Sequence, residues 1–376
     1  MAKNNKKLDV VIAAGGYGGH VYPALAVWQL LKKDPQIGHI AFVGCPNHLE
    51  GEITAQHGIE FHPIDCWEMP REISMDLLLW SGDTAVAVKS CIGYLRELKP
   101  DVVLGCGGFP SGPTLIAAAL MRIPFLIHDA DVFPGLTNRV MAPFAQIVSV
   151  TDEEAKGRMR SSRVVLGGTP LRPGFTTVDR QEALKQLSLD PDRRTIMAIG
   201  GSRGSPVINK AMAGAARELI EKYNCQVIHQ TGRDDHKPTQ ENLATIWPEH
   251  ADCEHYHLLP YIGEISPYVA ACDLVISRAG AGSNTEFQAY GLPAILVPFA
   301  LADQDHQTFN ARSLERKGAA VCLIEVECNP KSLRDIAVEL LTDEERYREM
   351  QKNSHALYVP DAAERLAKMV KEVATA

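Results

Sequence analysis

Glycines set directly after short apolar runs are the residues in this sequence whose type and spacing could do chemistry. In AAGGYGGHVYP, Gly15, Gly16, Gly18 and Gly19 follow the run VVIAA, and a helical pattern starts near His20. Gly200, Gly201, Ser202 and Gly204 stand in the same place after TIMAI, and Gly105, Gly107 and Gly108 do so after DVVL. Glycine lets the chain turn tightly and brings backbone N–H groups close to a bound group, while the following helix N-terminus favours negative charge. One such turn reads equally well as a plain strand–helix connection. Its recurrence at one topological position makes anion binding the better reading, with a diphosphate as the natural ligand. His20, at the first helix start, is the candidate general base, because an imidazole titrates near neutral pH. The structural alternative for His20 is a cap or hydrogen-bond anchor.

Other phosphate chemistries fit poorly. No glycine turn ends in Gly-Lys-Ser/Thr, which excludes a P-loop, and the second strand ends IAFVGCPNH without the acid of a dinucleotide fingerprint. Asp129-Ala130-Asp131 and Asp303-Gln304-Asp305-His306 are acidic clusters after apolar runs. Such carboxylates can hold Mg²⁺ or cap helices, and the structural reading is preferred, so no metal site is assigned.

The elements that must position these residues alternate along the whole chain. LDVVIAA, HIAFVG, DVVLG, FLIH and IVSV come first, then TIMAIG, CQVIHQTG, LVISR, AILVPF and AAVCLIE. These runs lack strict alternation, as expected of strands covered on both faces, and helical patterns such as PALAVWQLLKK lie between them. The fold class is therefore α/β, with two Rossmann-like doubly wound parallel-sheet domains facing across a cleft where ligands bind. A polar stretch near 164–195 separates the series. Expected boundaries are 1–170, 171–357, and a tail of 358–376 whose DAAERLAKMVKEVA is an amphipathic helix.

Bulk properties agree. With 376 residues the chain exceeds the size at which single cores stop growing. The net charge of −8 argues against a nucleic-acid partner. No run approaches the length of a membrane span, and the lysine-rich start reads as a solvated tail. Nine dispersed cysteines without a CxxC pair read as reduced thiols of a cytosolic protein.

AAGGYGGHVYPALAV, PDVVLGCGGFPSGP, GLTNRVMAPFA, AIGGSRGSPVIN, ISRAGAGSNTEFQAYGLPAILVPF and DHQTFNARSLERKGAA together resemble the MurG family of peptidoglycan glycosyltransferases. That resemblance implies a GT-B arrangement, with an amino-terminal acceptor domain, a carboxy-terminal donor domain and a final helix crossing back. It implies transfer of GlcNAc from UDP-GlcNAc to undecaprenyl-diphosphoryl-MurNAc-pentapeptide, at the cytoplasmic face of the membrane, with no cofactor required. Arg172 matches an arginine near the donor, Ser202 the serine on its diphosphate, and Ile262 the position whose backbone reads uracil. Glu286 matches the acid that binds the ribose hydroxyls, and His306 and Gln307 the pair that faces the sugar. A carboxylate at a helix start could also be there for the macrodipole alone.

The chain departs from the family pattern on the acceptor side. Tyr17 replaces a small residue, and HDAD at 128–131 replaces HEQN, so His128 and Asp131 enter the acceptor set with altered neighbours. Another lipid acceptor, a UDP-sugar 2-epimerase and a non-catalytic sensor are the alternative readings. REISMDLLLWSGDTAVAVKS carries Ile73, Met75, Leu77, Leu78, Leu79 and Trp80, near Arg71, Lys89 and Arg96. It reads either as a buried helix or as the family's membrane-contacting patch. No oligomeric state follows from the sequence.

Overall fold

The structure is a computed structural model that describes residues 6–70, 74–201 and 204–376. The chain divides into two compact units, Met1–Pro173 with Val359–Ala376, and Gly174–Tyr358. Ser202, Arg71, Ile73 and the first part of the lysine-rich tail lie outside the described residues. Lys6 is described, and its ammonium pairs with Asp101 at 2.7 Å.

The first unit alternates strand and helix from its start. It opens with β1 (Leu8–Ala13), α1 (Gly18–Leu31), β2 (Ile37–Gly44), α2 (Leu49–His57) and β3 (Glu60–Pro63). The long α3 (Met75–Leu98) follows, then β4 (Val102–Gly105), α4 (Ser111–Met121) and β5 (Phe125–Asp129). Short helices α5 (Leu136–Met141) and α6 (Glu153–Lys156) flank β6 (Ile147–Val150), and β7 (Val164–Leu166) ends the series. The strands form one parallel sheet in the order β3-β2-β1-β4-β5-β6-β7.

The two-residue period of a strand explains why β1 reads as a continuous apolar run. Val10 and Ile12 enter one buried cluster with Val21, Leu25 and Leu104, while Val11 enters another with Leu115, Ile127 and Val148. Helices cover both faces, so neither register of side chains meets water.

The second unit begins with α7 (Arg180–Gln186), β8 (Arg194–Ile199), α8 (Pro206–Tyr223), β9 (Cys225–Gln230) and α9 (His236–Ile246). Next come β10 (Tyr256–Leu259), α10 (Ser266–Ala271), β11 (Leu274–Ser277), α11 (Ala281–Ala289) and β12 (Ala294–Leu296). It finishes with α12 (His306–Arg316), β13 (Ala320–Cys322), α13 (Pro330–Thr342) and α14 (Glu344–Ala356). Its parallel sheet runs β10-β9-β8-β11-β12-β13. Buried Asp273 joins the start of this sheet, accepting from Thr195 N–H at 2.7 Å and from Arg180 and Arg194 at 2.8 and 3.2 Å.

The last helix, α15 (Ala362–Ala374), belongs to the first unit. Leu366, Val370 and Val373 are buried with the β1 core, and Lys371 bonds Asp34 at 2.6 Å. Its entry is tight: a Cβ on Gly168 would lie 2.5 Å from Val359.

Strand order reverses between β1 and β4 in one unit and between β8 and β11 in the other. Loops leaving such neighbouring strands diverge to opposite faces, which opens a crevice at their carboxyl ends. The turns at Gly15–Gly16 and Gly107–Gly108 meet at one of these points, and the turn at Gly200–Gly201 opens the other.

Candidate functional site

In the first unit the glycine turns interlock. Gly15 and Gly16 leave β1, and α1 begins at Gly18, so Gly18 and Gly19 are the first helical residues and not part of the turn. His20 is therefore in the first turn of α1, and its Nδ1 lies 3.1 Å from the carbonyl of Gly15. The ring is half-buried against the turn that leaves β4. A Cβ on Gly107 would come within 2.9 Å of the His20 ring, and one on Gly108 within 2.0 Å of the Gly15 carbonyl. Both residues have positive φ, 92° and 79°. Glycine at 107 and 108 is thus required by packing against His20, a physical reason separate from anion binding.

The acceptor-side residues separate into inside and outside. His128 lies on β5 and is 1% exposed, so its ring sits within the unit and not on its surface. Burial and the neighbouring His20 push its pKa down to about 3, which keeps it neutral. Tyr17 points the other way. It is 63% exposed and its hydroxyl donates to Glu68 at 3.1 Å, so it does not fill the turn it interrupts. Asp131 is half-buried, and its N–H donates to Asp129 at 3.0 Å. Asp129 also accepts from Gly135 N–H and Asn138 Nδ2, at 3.0 and 2.8 Å, so it organises the loop into α5. Arg172 falls within the first unit, its guanidinium 5.2 Å from the Tyr22 ring centre.

In the second unit Gly200 and Gly201 leave β8. A Cβ on Gly200 would lie 2.3 Å from Ser205 N, and one on Gly204 2.0 Å from the Thr231 carbonyl. The α8 start is built for this approach: Ser205 caps it, its hydroxyl accepting from Ile208 N–H at 3.3 Å, and Pro206 follows. Gln230, at the end of β9, donates to the Gly201 carbonyl at 3.2 Å and holds the turn down. Ile262 is buried just after β10.

Glu286 corrects one expectation. It is the sixth residue of α11 and half-buried, beyond the first helical turn, because the helix already begins at Ala281 after Gly280. A macrodipole role, which falls off within the first turn, does not account for it. Gln307, in the first turn of α12, accepts from Ala279 N–H at 3.3 Å and Phe299 N–H at 3.0 Å through its amide oxygen. That oxygen fastens the loops after β11 and β12 together and leaves the NH₂ as the donor group. His306, half-buried, opens α12 beside it. Arg278, ahead of α11, pairs with Glu325 at 2.6 Å and donates to the Val297 carbonyl at 3.2 Å. Asp305 accepts from Thr308 at 2.6 Å, the local turn-making role expected of a loop acid.

The sequence reading missed Glu50. It is fully buried in α2, yet its carboxylate accepts from Gly16 N–H at 3.1 Å and Cys45 N–H at 3.0 Å. In sequence it looks like one more acid in a first helical turn, and the partner that matters lies 34 residues away.

The glycosyltransferase family 28 N-terminal domain matches residues 10–150, and the family 28 C-terminal domain matches residues 195–366. A relative from Halothermothrix orenii, UDP-N-acetylglucosamine–N-acetylmuramyl-(pentapeptide) pyrophosphoryl-undecaprenol N-acetylglucosamine transferase, is 34% identical over 98% of this chain and 99% of its own. The crystal structure of Acinetobacter baumannii MurG superimposes with a TM-score of 0.78 at 26% identity, over 97% of this chain and 99% of that one. UDP-GlcNAc 2-epimerase from Neisseria meningitidis, bound to UDP-GlcNAc, shares the fold at a TM-score of 0.64. It covers 97% of this chain and 100% of its own, but at 13% identity the likeness is one of fold alone.

Two doubly wound units, each with a glycine turn at its switch point, and both family 28 domains in order define a GT-B glycosyltransferase. Within that class, the chain belongs to the MurG family.

Proposed function

We propose that this chain transfers GlcNAc from UDP-GlcNAc to the 4-hydroxyl of lipid-linked MurNAc-pentapeptide, with inversion, in peptidoglycan synthesis. The observation that carries this is similarity to a transferase of that name across nearly the full length of both chains. The second unit holds the donor. The turn at Gly200 and Gly201 and the α8 N-terminus meet the diphosphate, while Glu286 takes the ribose hydroxyls. Ile262 lies by the base, and Gln307 and His306 lie by the sugar. The first unit carries the acceptor beside His20.

The reaction is a single displacement. The acceptor oxygen attacks C1 of GlcNAc as its proton passes to His20, and UDP leaves. Negative charge grows on the departing diphosphate, and fixed N–H groups with a helix dipole stabilise it most where charge develops. As written, the step calls on no metal or cofactor. The acceptor is a lipid, and no helix among the described residues is long and apolar enough to cross a membrane. We assign the exposed start of α3, with Met75, Leu78 and Leu79, as the surface that meets the cytoplasmic face of the membrane.

A labelled UDP-GlcNAc transfer assay with a lipid-linked MurNAc-pentapeptide analogue tests the reading. Labelled lipid is the expected product. UDP-GlcNAc alone should give no new UDP-sugar, whereas an epimerase would make one, and binding without turnover would indicate a sensor. Glu286→Ala should raise the apparent KM for UDP-GlcNAc about tenfold or more, the order of a lost charged hydrogen bond. An unchanged value would remove Glu286 from the donor site.

A further inference from the structure

We infer that Glu50 is a positioning residue for His20, acting through the single peptide group between Gly15 and Gly16. The inference rests on His20 being the base of the proposed transfer. The Gly16 N–H of that peptide donates to Glu50 Oε2 at 3.1 Å, and its Gly15 carbonyl faces His20 Nδ1 at 3.1 Å. A carbonyl oxygen only accepts, so Nδ1 carries the proton and the neutral ring has its lone pair on Nε2. One rigid amide plane therefore lies between a carboxylate and the imidazole.

The glycines fit this contact closely. A Cβ on Gly15 would lie 2.2 Å from Glu50 Oε1, and Gly16 takes a φ of +84° to aim its N–H. Glu50 is fully buried, and its other oxygen accepts from Cys45 N–H at 3.0 Å, so the carboxylate cannot swing away. A carboxylate on the N–H polarises the amide and strengthens its carbonyl as an acceptor. That holds the ring, selects the tautomer and stabilises the imidazolium once a proton arrives, as an orienting carboxylate does in direct contact.

Charged and titratable groups from neighbouring elements stand near this corner. His128, from β5, stays neutral. Asp129 reaches this corner through Asn138, beside Gly107, and Arg172 stands over Tyr22 on α1. Removing Glu50 therefore lowers the His20 pKa, and the limb where rate rises with pH moves to lower pH.

Nitrogen-15 NMR of histidine-labelled full-length protein reads the tautomer without any substitution. The expected neutral His20 is protonated at Nδ1, and an Nε2–H tautomer would overturn the inference. In Glu50→Gln, kcat should fall about ten- to a hundredfold, the order lost when the group that orients a metal-bound histidine is removed. The KM for UDP-GlcNAc should hold, and both the His20 titration and the pH limb should move down. Glu50→Asp, which keeps the charge, should restore the limb. A folded Glu50→Gln protein with neither displacement sinks the inference. A shifted His20 titration with an unmoved limb upholds the coupling and instead removes His20 as the base.

Discussion

His128 and His229 are both buried imidazoles on sheet strands, and burial pushes each down to about 3. His229 is held neutral by a network: Tyr256 donates to its Nδ1 at 2.7 Å, and its Nε2 donates to Asn209 at 3.1 Å. A histidine whose folded pKa lies below the ordinary 6.5 contributes stability that is complete above 6.5 and is lost as pH falls toward 3. Urea unfolding should therefore weaken through that window by up to about 1.4 kcal/mol per pH unit for each such ring. In His229→Leu the acid slope should be shallower than in the parent, although stability at pH 7 falls because Tyr256 and Asn209 lose their partner. Equal slopes would show that His229 does not titrate with unfolding.

At the scale of elements, α3 is the odd helix. Only Ala87, Cys91 and Leu95 are buried, all in its second half. Its first half leaves Met75, Leu78 and Leu79 exposed, and Trp67 beside it is 65% exposed, with its carbonyl accepting from Trp80 Nε1 at 2.9 Å. The stripe reads as a core helix by type, yet the sheet is already covered and the stripe faces outward. Large exposed apolar clusters mark interaction surfaces. Leu78→Ser with Leu79→Ser should cut co-sedimentation with anionic vesicles at least tenfold, since a buried leucine is worth roughly 1.5–3 kcal/mol. Thermal stability and activity on a water-soluble acceptor should stay as in the parent. Unchanged vesicle binding would move the membrane contact elsewhere.

At the scale of the whole chain, a helix at its end completes the core of the first unit. Leu366 is buried against β1-side residues whose own sequence lies more than 200 positions earlier, and Arg163 pairs with Glu372. Leu366→Ala leaves a cavity and should cost about 2–5 kcal/mol. Hydrogen exchange would place the loss: amides of β1 and β4 should lose protection while those of β8 and β11 keep it. Equal loss in both sheets would mean that the units do not unfold separately.

What the sequence determined is local chemistry. Apolar runs without alternation required strands buried on both faces, glycines after them required tight turns into helices, and DAAERLAKMVKEVA required an amphipathic helix. Those properties depend on neighbours within a few residues, so the α/β class, the paired series and the position of His20 near a helix start were legible. What each side chain meets was decided by the tertiary structure. Gly107 and Gly108 are glycines because His20 and the Gly15 carbonyl need the space, Tyr17 turns outward to Glu68, and His128 is enclosed. Glu286 falls past the helix start because Gly280 starts the helix early, and Glu50 matters through a peptide that only folding brings beneath it. Hydrophobic periodicity carries no record of such pairings, since strand order and side-chain direction across a sheet are fixed only when distant segments pack.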